Sequence, residues 1–259
     1  MLPILQLGPL AIQTPGLFLL AGLWVGLNLS ERFASQRGLP PNKVYNLVFS
    51  ALIGGIIGGR LVYALRYPAA FSQYPMSLLS INPGLLDFEA GVAIGAIVAW
   101  IYGFRNKLRL WPTLDVLTPM FASGAVAVGL AHLASGAAFG QPTDLPWGIK
   151  LWGVLRHPTQ IYEILLAALI MAILWLGRLA TRSWSPGKYF LAFSAWTACS
   201  RLIVEAFRGD SLLLPGGYRL EQVIAWIILI VCLVGLQKIP SGSPGSDHEL
   251  REDVMIEGL

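Results

Sequence analysis

Charge is scarce in this sequence. Asp, Glu, Lys and Arg make up 12% of its 259 residues, where a soluble domain carries about a quarter. The deficit runs along the whole chain instead of marking one anchor, which excludes a soluble globular domain. Cysteine is scarce too: Cys199 and Cys232 both sit in apolar runs, where a thiol behaves as a small buried hydrophobe, and neither a disulfide nor a metal site is indicated. No dense basic cluster interleaved with aromatics occurs, so the net charge of +4 is read as membrane-topology marking rather than as a nucleic-acid footprint. No Lys or Arg precedes the first apolar run. That run therefore lacks the positive start of a secretory signal and is expected to stay in the mature protein.

What is abundant is apolar sequence. Hydrophobic residues are 55% of the chain and the mean hydropathy is +0.64. A helix needs roughly 20 mostly apolar residues to cross a hydrocarbon core of about 30 Å. The pattern predicts an all-α, polytopic membrane protein with about seven such helices, over Pro15–Leu29, Val44–Leu65, Phe88–Phe104, Leu114–Leu133, Pro158–Leu179, Gly187–Phe207 and Leu220–Leu236. These fill residues 1–240 as one integral-membrane domain. From Ser241 the sequence turns to Ser, Gly and Pro and then to Asp247, Glu249, Glu252, Asp253 and Glu257. That composition predicts a disordered acidic cytoplasmic tail over 241–259.

Basic residues give the orientation. The connectors after spans 1, 3 and 5 each hold three: Arg32, Arg37 and Lys43, then Arg105, Lys107 and Arg109, then Arg178, Arg182 and Lys188. The alternate connectors hold Arg66 alone, then Lys150 and Arg156, then Arg208 and Arg219. Positive charge favours the cytoplasmic side, so the N-terminus is expected outside and the C-terminus inside. No internal repeat of fixed period is visible. Gly54, Gly55, Gly58 and Gly59 set small residues four apart along span 2, a spacing that lets helix backbones approach closely.

An ionisable side chain at membrane depth costs about 2.5–3.5 kcal/mol on insertion scales and usually faces a partner or a polar cavity. Here Arg60, Glu89, His132, Glu163, Arg201 and Glu205 all fall within or at the ends of predicted spans. Arg201, Glu205 and Arg208 stand at i, i+4 and i+7, on one helix face. A carboxylate between two guanidiniums is a net cationic arrangement whose planar forks match phosphate oxygens; a structural ion network is the other reading. His157-Pro158-Thr159-Gln160-Ile161-Tyr162-Glu163 is the second dense polar patch, at a helix start whose free N–H groups attract anions. His157 can equally be a cap and Tyr162 an interfacial anchor. In the expected topology these groups come near the outer ends of their helices, which points to an anionic lipid head group.

The ordered set Gly58-Gly59-Arg60-Leu61-Val62-Tyr63, His157 to Glu163 and Arg201 to Arg208 resembles the prolipoprotein diacylglyceryl transferase family, and Gln222 near the start of the last helix fits it too. The resemblance implies a multi-pass enzyme of the bacterial inner membrane. Its partners would be phosphatidylglycerol and the lipobox segment of a preprolipoprotein: a diacylglyceryl group moves to a cysteine thiol, a thioether forms and glycerol phosphate leaves, with no metal or soluble cofactor. Arg201 and Glu205 carry over as catalytic residues, and Arg60, His157, Gln160, Tyr162, Glu163, Arg208 and Gln222 as substrate-binding residues. The family's His-Gly-Gly at the start of span 3 is here Glu89-Ala90-Gly91. Its Arg, Asn and Glu signature in and after span 4 is lost across Gly129–Ala137, where His132 stands. A tyrosine expected in span 1 is replaced by Pro15 or a neighbour. Glu89 or His132 could restore the missing base; a carboxylate made basic by burial could serve. Three outcomes follow: the family's transfer reaction, a lipid head-group site without chemistry, or transfer to another acceptor. A transporter, which buried charges also mark, would be expected to show repeats and broken helices.

Overall fold

The computed structural model describes residues 4–7, 10–73, 76, 85–180 and 185–239. The acidic tail expected over 241–259 lies outside these residues. An antiparallel hairpin, β1 (Ile4–Leu7) and β2 (Leu10–Gln13), leads into α1 (Thr14–Gln36), α2 (Pro41–Arg66), the short α3 (Pro68–Gln73), α4 (Phe88–Arg105) and α5 (Leu110–Ser135). A second antiparallel hairpin, β3 (Ile149–Leu151) and β4 (Val154–Arg156), precedes α6 (Thr159–Ala180), α7 (Lys188–Glu205) and α8 (Leu220–Lys238).

Six of these helices, α1, α2, α4, α5, α6 and α8, are long and apolar enough to cross a membrane. The sixth predicted span corresponds to α7, which matches α4 at 18 residues but carries Lys188, Arg201 and Glu205. Burial is distributed as a bilayer demands. Large apolar side chains face outward, with Trp24 70%, Leu65 79% and Phe104 80% exposed, while Ser30, Thr118, Thr159, Gln160 and Glu205 are fully buried. In water that distribution would be reversed; against lipid the outward apolar face carries no penalty. The chain is a polytopic, helical membrane protein.

Span 1 runs further than its apolar stretch, because Phe33 and Ala34 are buried and draw α1 on to Gln36. Span 4 likewise begins at Leu110 rather than Leu114. Neither hairpin has a sequence signal long enough to predict: each strand has three or four residues.

Contacts divide the chain into two compact units. One holds Ser30–Val116; the other holds the chain up to Leu29 and from Leu117 on. In the first, α2 and α4 pack backbone to backbone. A Cβ on Gly55 would lie 2.8 Å from the Gly91 carbonyl oxygen, and one on Gly59 2.7 Å from that of Asp87. Gly54 and Gly58 receive Val98 and Ile94, so all four small residues of span 2 serve this contact. Asp87 closes the end of the pair. Its side chain caps α4 by accepting from the Ala90 N–H at 2.9 Å and pairs with Arg66 at 2.6 Å, while its N–H donates to the Gly59 carbonyl at 3.1 Å.

In the second unit α1 and α5 meet as closely at Gly22 and Gly26, opposite Ala127 and Ser123. There the Ser123 hydroxyl donates to the Gly22 carbonyl at 2.7 Å. Helices α7 and α8 share an apolar core of Leu191, Ala195 and Cys232 with Leu229 and Leu236. Cys232 is buried as expected, and Cys199 is half-buried.

Candidate functional site

In this second unit the C-terminal ends of α5 and α7 meet the N-terminal ends of α6 and α8. The alternating direction of the spans brings them together, and each contributes charge in its last or first turns. Glu163, in the second turn of α6, is the hub. One carboxylate oxygen lies 2.8 Å from His132 Nδ1 on α5; the other accepts from Arg201 Nη1 on α7 at 2.8 Å. Arg208 Nη1 lies 3.8 Å from the same oxygen.

A carboxylate can only accept, so His132 Nδ1 carries its proton in this contact and, in the neutral ring, Nε2 holds the lone pair. No described residue occupies Nε2, and the His132 side chain is 29% exposed while Glu163 is 12% exposed. Arg201 turns its other edge to Glu221 in the first turn of α8: Nε donates to Oε2 at 2.8 Å and Nη2 donates to the same oxygen.

Glu205 is fully buried between the two arginines, 4.0 Å from Arg201 Nε and 3.6 Å from Arg208 Nε. Neither of its carboxylate oxygens takes a hydrogen bond from a described residue, so the two guanidiniums are its charged neighbours. Arg208 also donates to Asp210 at 2.9 Å. Burial works against the Arg208 charge, but the Asp210 hydrogen bond and the Asp210, Glu205 and Glu163 carboxylates outweigh it, so its pKa lies above the ordinary value. Arg219 fastens the α7–α8 connection by donating to the Glu205 and Arg208 carbonyls and to Ser211 Oγ.

Helix α7 ends at Glu205, so Arg208 stands in the turn beyond it and not on one helix face with Arg201 and Glu205 as expected; these three residues alone are cationic, but the folded cluster is not. Two guanidiniums and one imidazole face four carboxylates, Glu163, Glu205, Glu221 and Asp210. Spacing along one helix could not reveal this, because three of the four acids lie on other segments.

A strap of backbone crosses the same end of the unit. Residues 139–143 pair on one side with the hairpin strand, where His157 N–H donates to Gln141 O at 3.0 Å and Thr143 N–H to Leu155 O at 3.0 Å. On the other side Gln141 N–H donates to Phe207 O and Gly209 N–H to Phe139 O, both at 2.8 Å. Gly140 sits where these segments are tightest: a Cβ there would lie 2.6 Å from the His157 Cβ. The β3–β4 turn places Trp152 and Gly153 at φ 49° and 81°, the left-handed pair a two-residue hairpin requires. Trp152 meets Phe139 edge-on at 4.9 Å, and the Arg156 guanidinium lies 5.0 Å over the same ring.

Of the other predicted residues, His157 lies tilted against Phe207 at 5.0 Å and Tyr162 meets it edge-on at 6.0 Å, and the Tyr162 oxygen accepts from Trp147 Nε1 at 3.0 Å. Pro158 stands one place earlier than a first helical residue: its carbonyl accepts from the Ile161 and Tyr162 N–H groups, and α6 begins at Thr159. Gln160 is fully buried and donates to the Ala137 carbonyl at 2.9 Å. Gln222 is half-buried in the first turn of α8. Arg60 and Glu89 belong to the α2–α4 unit; Arg60 is half-buried, and Glu89 is exposed in the first turn of α4 beside the capping Asp87. Sequence reasoning passed over Glu221, Asp210 and Arg219. Glu221 precedes Gln222 at a helix start, where an acid usually serves only the helix dipole.

Buried charges gathered at helix ends, among helices that turn apolar side chains outward, define a membrane protein with an ionic cluster at its helix ends. The comparisons place it more closely. The prolipoprotein diacylglyceryl transferase family matches residues 3–237. A phosphatidylglycerol–prolipoprotein diacylglyceryl transferase of Geobacter sulfurreducens is 32% identical over 240 residues, covering 88% of this chain and 91% of that one. Those of Synechococcus elongatus and Solidesulfovibrio magneticus are 28% and 35% identical, over 90% and 66% of this chain and 85% and 68% of theirs. The chain belongs to the prolipoprotein diacylglyceryl transferase family.

Proposed function

We propose that this protein transfers a diacylglyceryl group from phosphatidylglycerol to the cysteine thiol of a lipoprotein precursor, in the bacterial inner membrane, with its N-terminus outside and its C-terminus inside. The observation that carries the reading is the contact of Glu163 with both His132 and Arg201. It brings an imidazole and a guanidinium to one carboxylate, which supports a base in this cluster although the family's usual histidine is here Glu89. Arg201 and Arg208 hold the lipid phosphate and stabilise the departing glycerol phosphate. Glu205 fixes the two guanidiniums, and His157, Gln160, Tyr162 and Gln222 are assigned to substrate binding.

Glu163 holds the imidazole in the tautomer that leaves Nε2 free to take the thiol proton. The thiolate attacks the glyceryl carbon bonded to phosphate oxygen, a C–S bond forms, and that C–O bond breaks with its electron pair leaving on glycerol phosphate. Glu89 is the competing candidate for the base. The second reading is a protein that binds phospholipid head groups without transfer, favoured by the exposure of Glu89 and by the engagement of Arg201 with carboxylates on both its edges.

The test is a transfer assay in proteoliposomes containing phosphatidylglycerol and a lipobox peptide, with His132→Ala and Glu89→Gln beside the native protein. Thioether product that falls about 10²–10⁴-fold in His132→Ala, and returns when free imidazole is added, supports the proposal. Product abolished by Glu89→Gln and kept by His132→Ala moves the base to Glu89. No product from the native protein, with phosphatidylglycerol binding intact, leaves the second reading.

A further inference from the structure

We propose that Glu221 is an internal competitor for the lipid phosphate: it occupies the open edge of Arg201 and must be displaced before an anionic head group can bind there. The inference rests on the head-group role of Arg201 and adds a residue that sets how tightly and how selectively that site loads.

A guanidinium offers two edges suited to an oxyanion. On Arg201, Nη1 is committed inward to Glu163, whose side chain is 12% exposed. The edge formed by Nε and Nη2 is committed to a single oxygen of Glu221, whose side chain is 42% exposed. An arriving phosphate meets the exposed edge, not the buried one. Glu221 is therefore the acid it must replace.

Two further features make Glu221 the one that yields. Its anchoring is light. Glu205 is buried between two arginines, Glu163 bonds two partners, and Glu221 is paired with Arg201 alone among the described residues. It also stands in the first turn of α8, where a carboxylate swung away from Arg201 stays near the helix's free N–H groups. Charge balance favours an exchange over simple addition. With two guanidiniums and one imidazole already facing four carboxylates, a fifth anion added to the set is repelled; an anion that replaces the Glu221 carboxylate is not.

The consequence is selectivity. A neutral or zwitterionic surface offers no net anion to compete with a tethered carboxylate, so the site stays closed to it. An anionic head group competes by concentration in the membrane. Substituting Glu221 should therefore tighten binding of anionic lipid and weaken discrimination, whereas a merely structural acid at a helix start would lower stability and leave lipid affinity alone.

The experiment uses the full chain in detergent, titrated with dioctanoyl phosphatidylglycerol and, separately, dioctanoyl phosphatidylcholine. Native protein, Glu221→Gln, Glu221→Ser and Arg201→Ala are compared, each checked for folding by thermal unfolding. The expected result is that both Glu221 variants bind phosphatidylglycerol about twofold to fivefold more tightly, in line with release of a partly exposed ion pair, while Arg201→Ala binds it more weakly. In the transfer assay their KM for phosphatidylglycerol falls by a similar factor. Unchanged or weaker binding by folded Glu221 variants, with Arg201→Ala still impaired, overturns the competitor role and leaves the head-group site standing. If Arg201→Ala binds as the native protein does, the head-group role of Arg201 fails and the competitor role fails with it.

Discussion

The Glu163 hub allows its energetic and catalytic roles to be measured together. Glu163→Ala removes the acceptor of two charge-assisted contacts, to His132 Nδ1 and Arg201 Nη1, both 2.8 Å long. Hydrogen bonds to charged groups contribute about 1.5–3 kcal/mol each. The loss is cushioned because Arg201 keeps Glu221 and because His132 and Arg201 are each 29% exposed and can be resolvated in part. We expect Glu163→Ala to destabilise the fold by about 2–4 kcal/mol, and Glu163→Gln, which keeps one acceptor, by about 1–2 kcal/mol. Reversible unfolding in mixed detergent reads these values. A double-mutant cycle with His132→Ala then isolates the pair: contacting residues couple by about 0.5–3 kcal/mol, and independent ones add to within about 0.3–0.5 kcal/mol. Activity should show the same dependence. If Glu163 acts by orienting the imidazole, losing it after His132 is already gone costs little further rate, as for residues that work as a unit. Fully additive effects in both stability and rate would refute the hub.

Two backbone contacts give sharper tests. Gly55→Val should destabilise the α2–α4 pair by about 1–3 kcal/mol or more, because even its Cβ meets a carbonyl oxygen instead of a side chain that could move. Gly124→Ala, a helical position facing open space, should be neutral or stabilising by up to about 1 kcal/mol, and thermal unfolding of the two variants side by side checks both. Gly140→Ala should cost more in transfer rate than a surface glycine change, since it forces the strap away from His157; native-like activity in a folded Gly140→Ala protein would show that the strap tolerates displacement.

Much of the fold was legible because a bilayer imposes a simple rule on sequence. Every predicted span has its helix, with ends shifted by a few residues: α5 starts at Leu110 rather than Leu114, and α7 ends at Glu205 rather than Phe207. Phe33 and Ala34 extend α1 because they are buried. The sixth expected span is a helix, α7, but Lys188, Arg201 and Glu205 dilute its apolar character and it is not among the six helices apolar enough to cross a membrane. The close-packing glycines of span 2 were legible from spacing alone, since a stripe of residues without side chains can serve few purposes in a helix. Hairpins of three or four residues per strand were not legible, because so short a strand is held by its turn and by neighbours distant in sequence. The Gly140–Arg208 pairing is such a case.

The site was half legible for the same reason. Arg201, Glu205 and Arg208 declare themselves by period, although the helix ends at Glu205 and leaves Arg208 in the turn that follows, and His132 and Glu163 declare themselves by their depth in apolar sequence. The sign of the site's charge belongs to no single helix. It depends on Glu221 and Asp210, which in sequence read as a helix-start acid and a loop acid and in the fold turn toward the two arginines. A periodic pattern can thus identify which groups a helix presents, while the charge a ligand meets is decided by the helix ends packed against it. With four acids at that meeting point, the ionic cluster is poised to exchange one anion for another, and Glu221 is the anion nearest the outside.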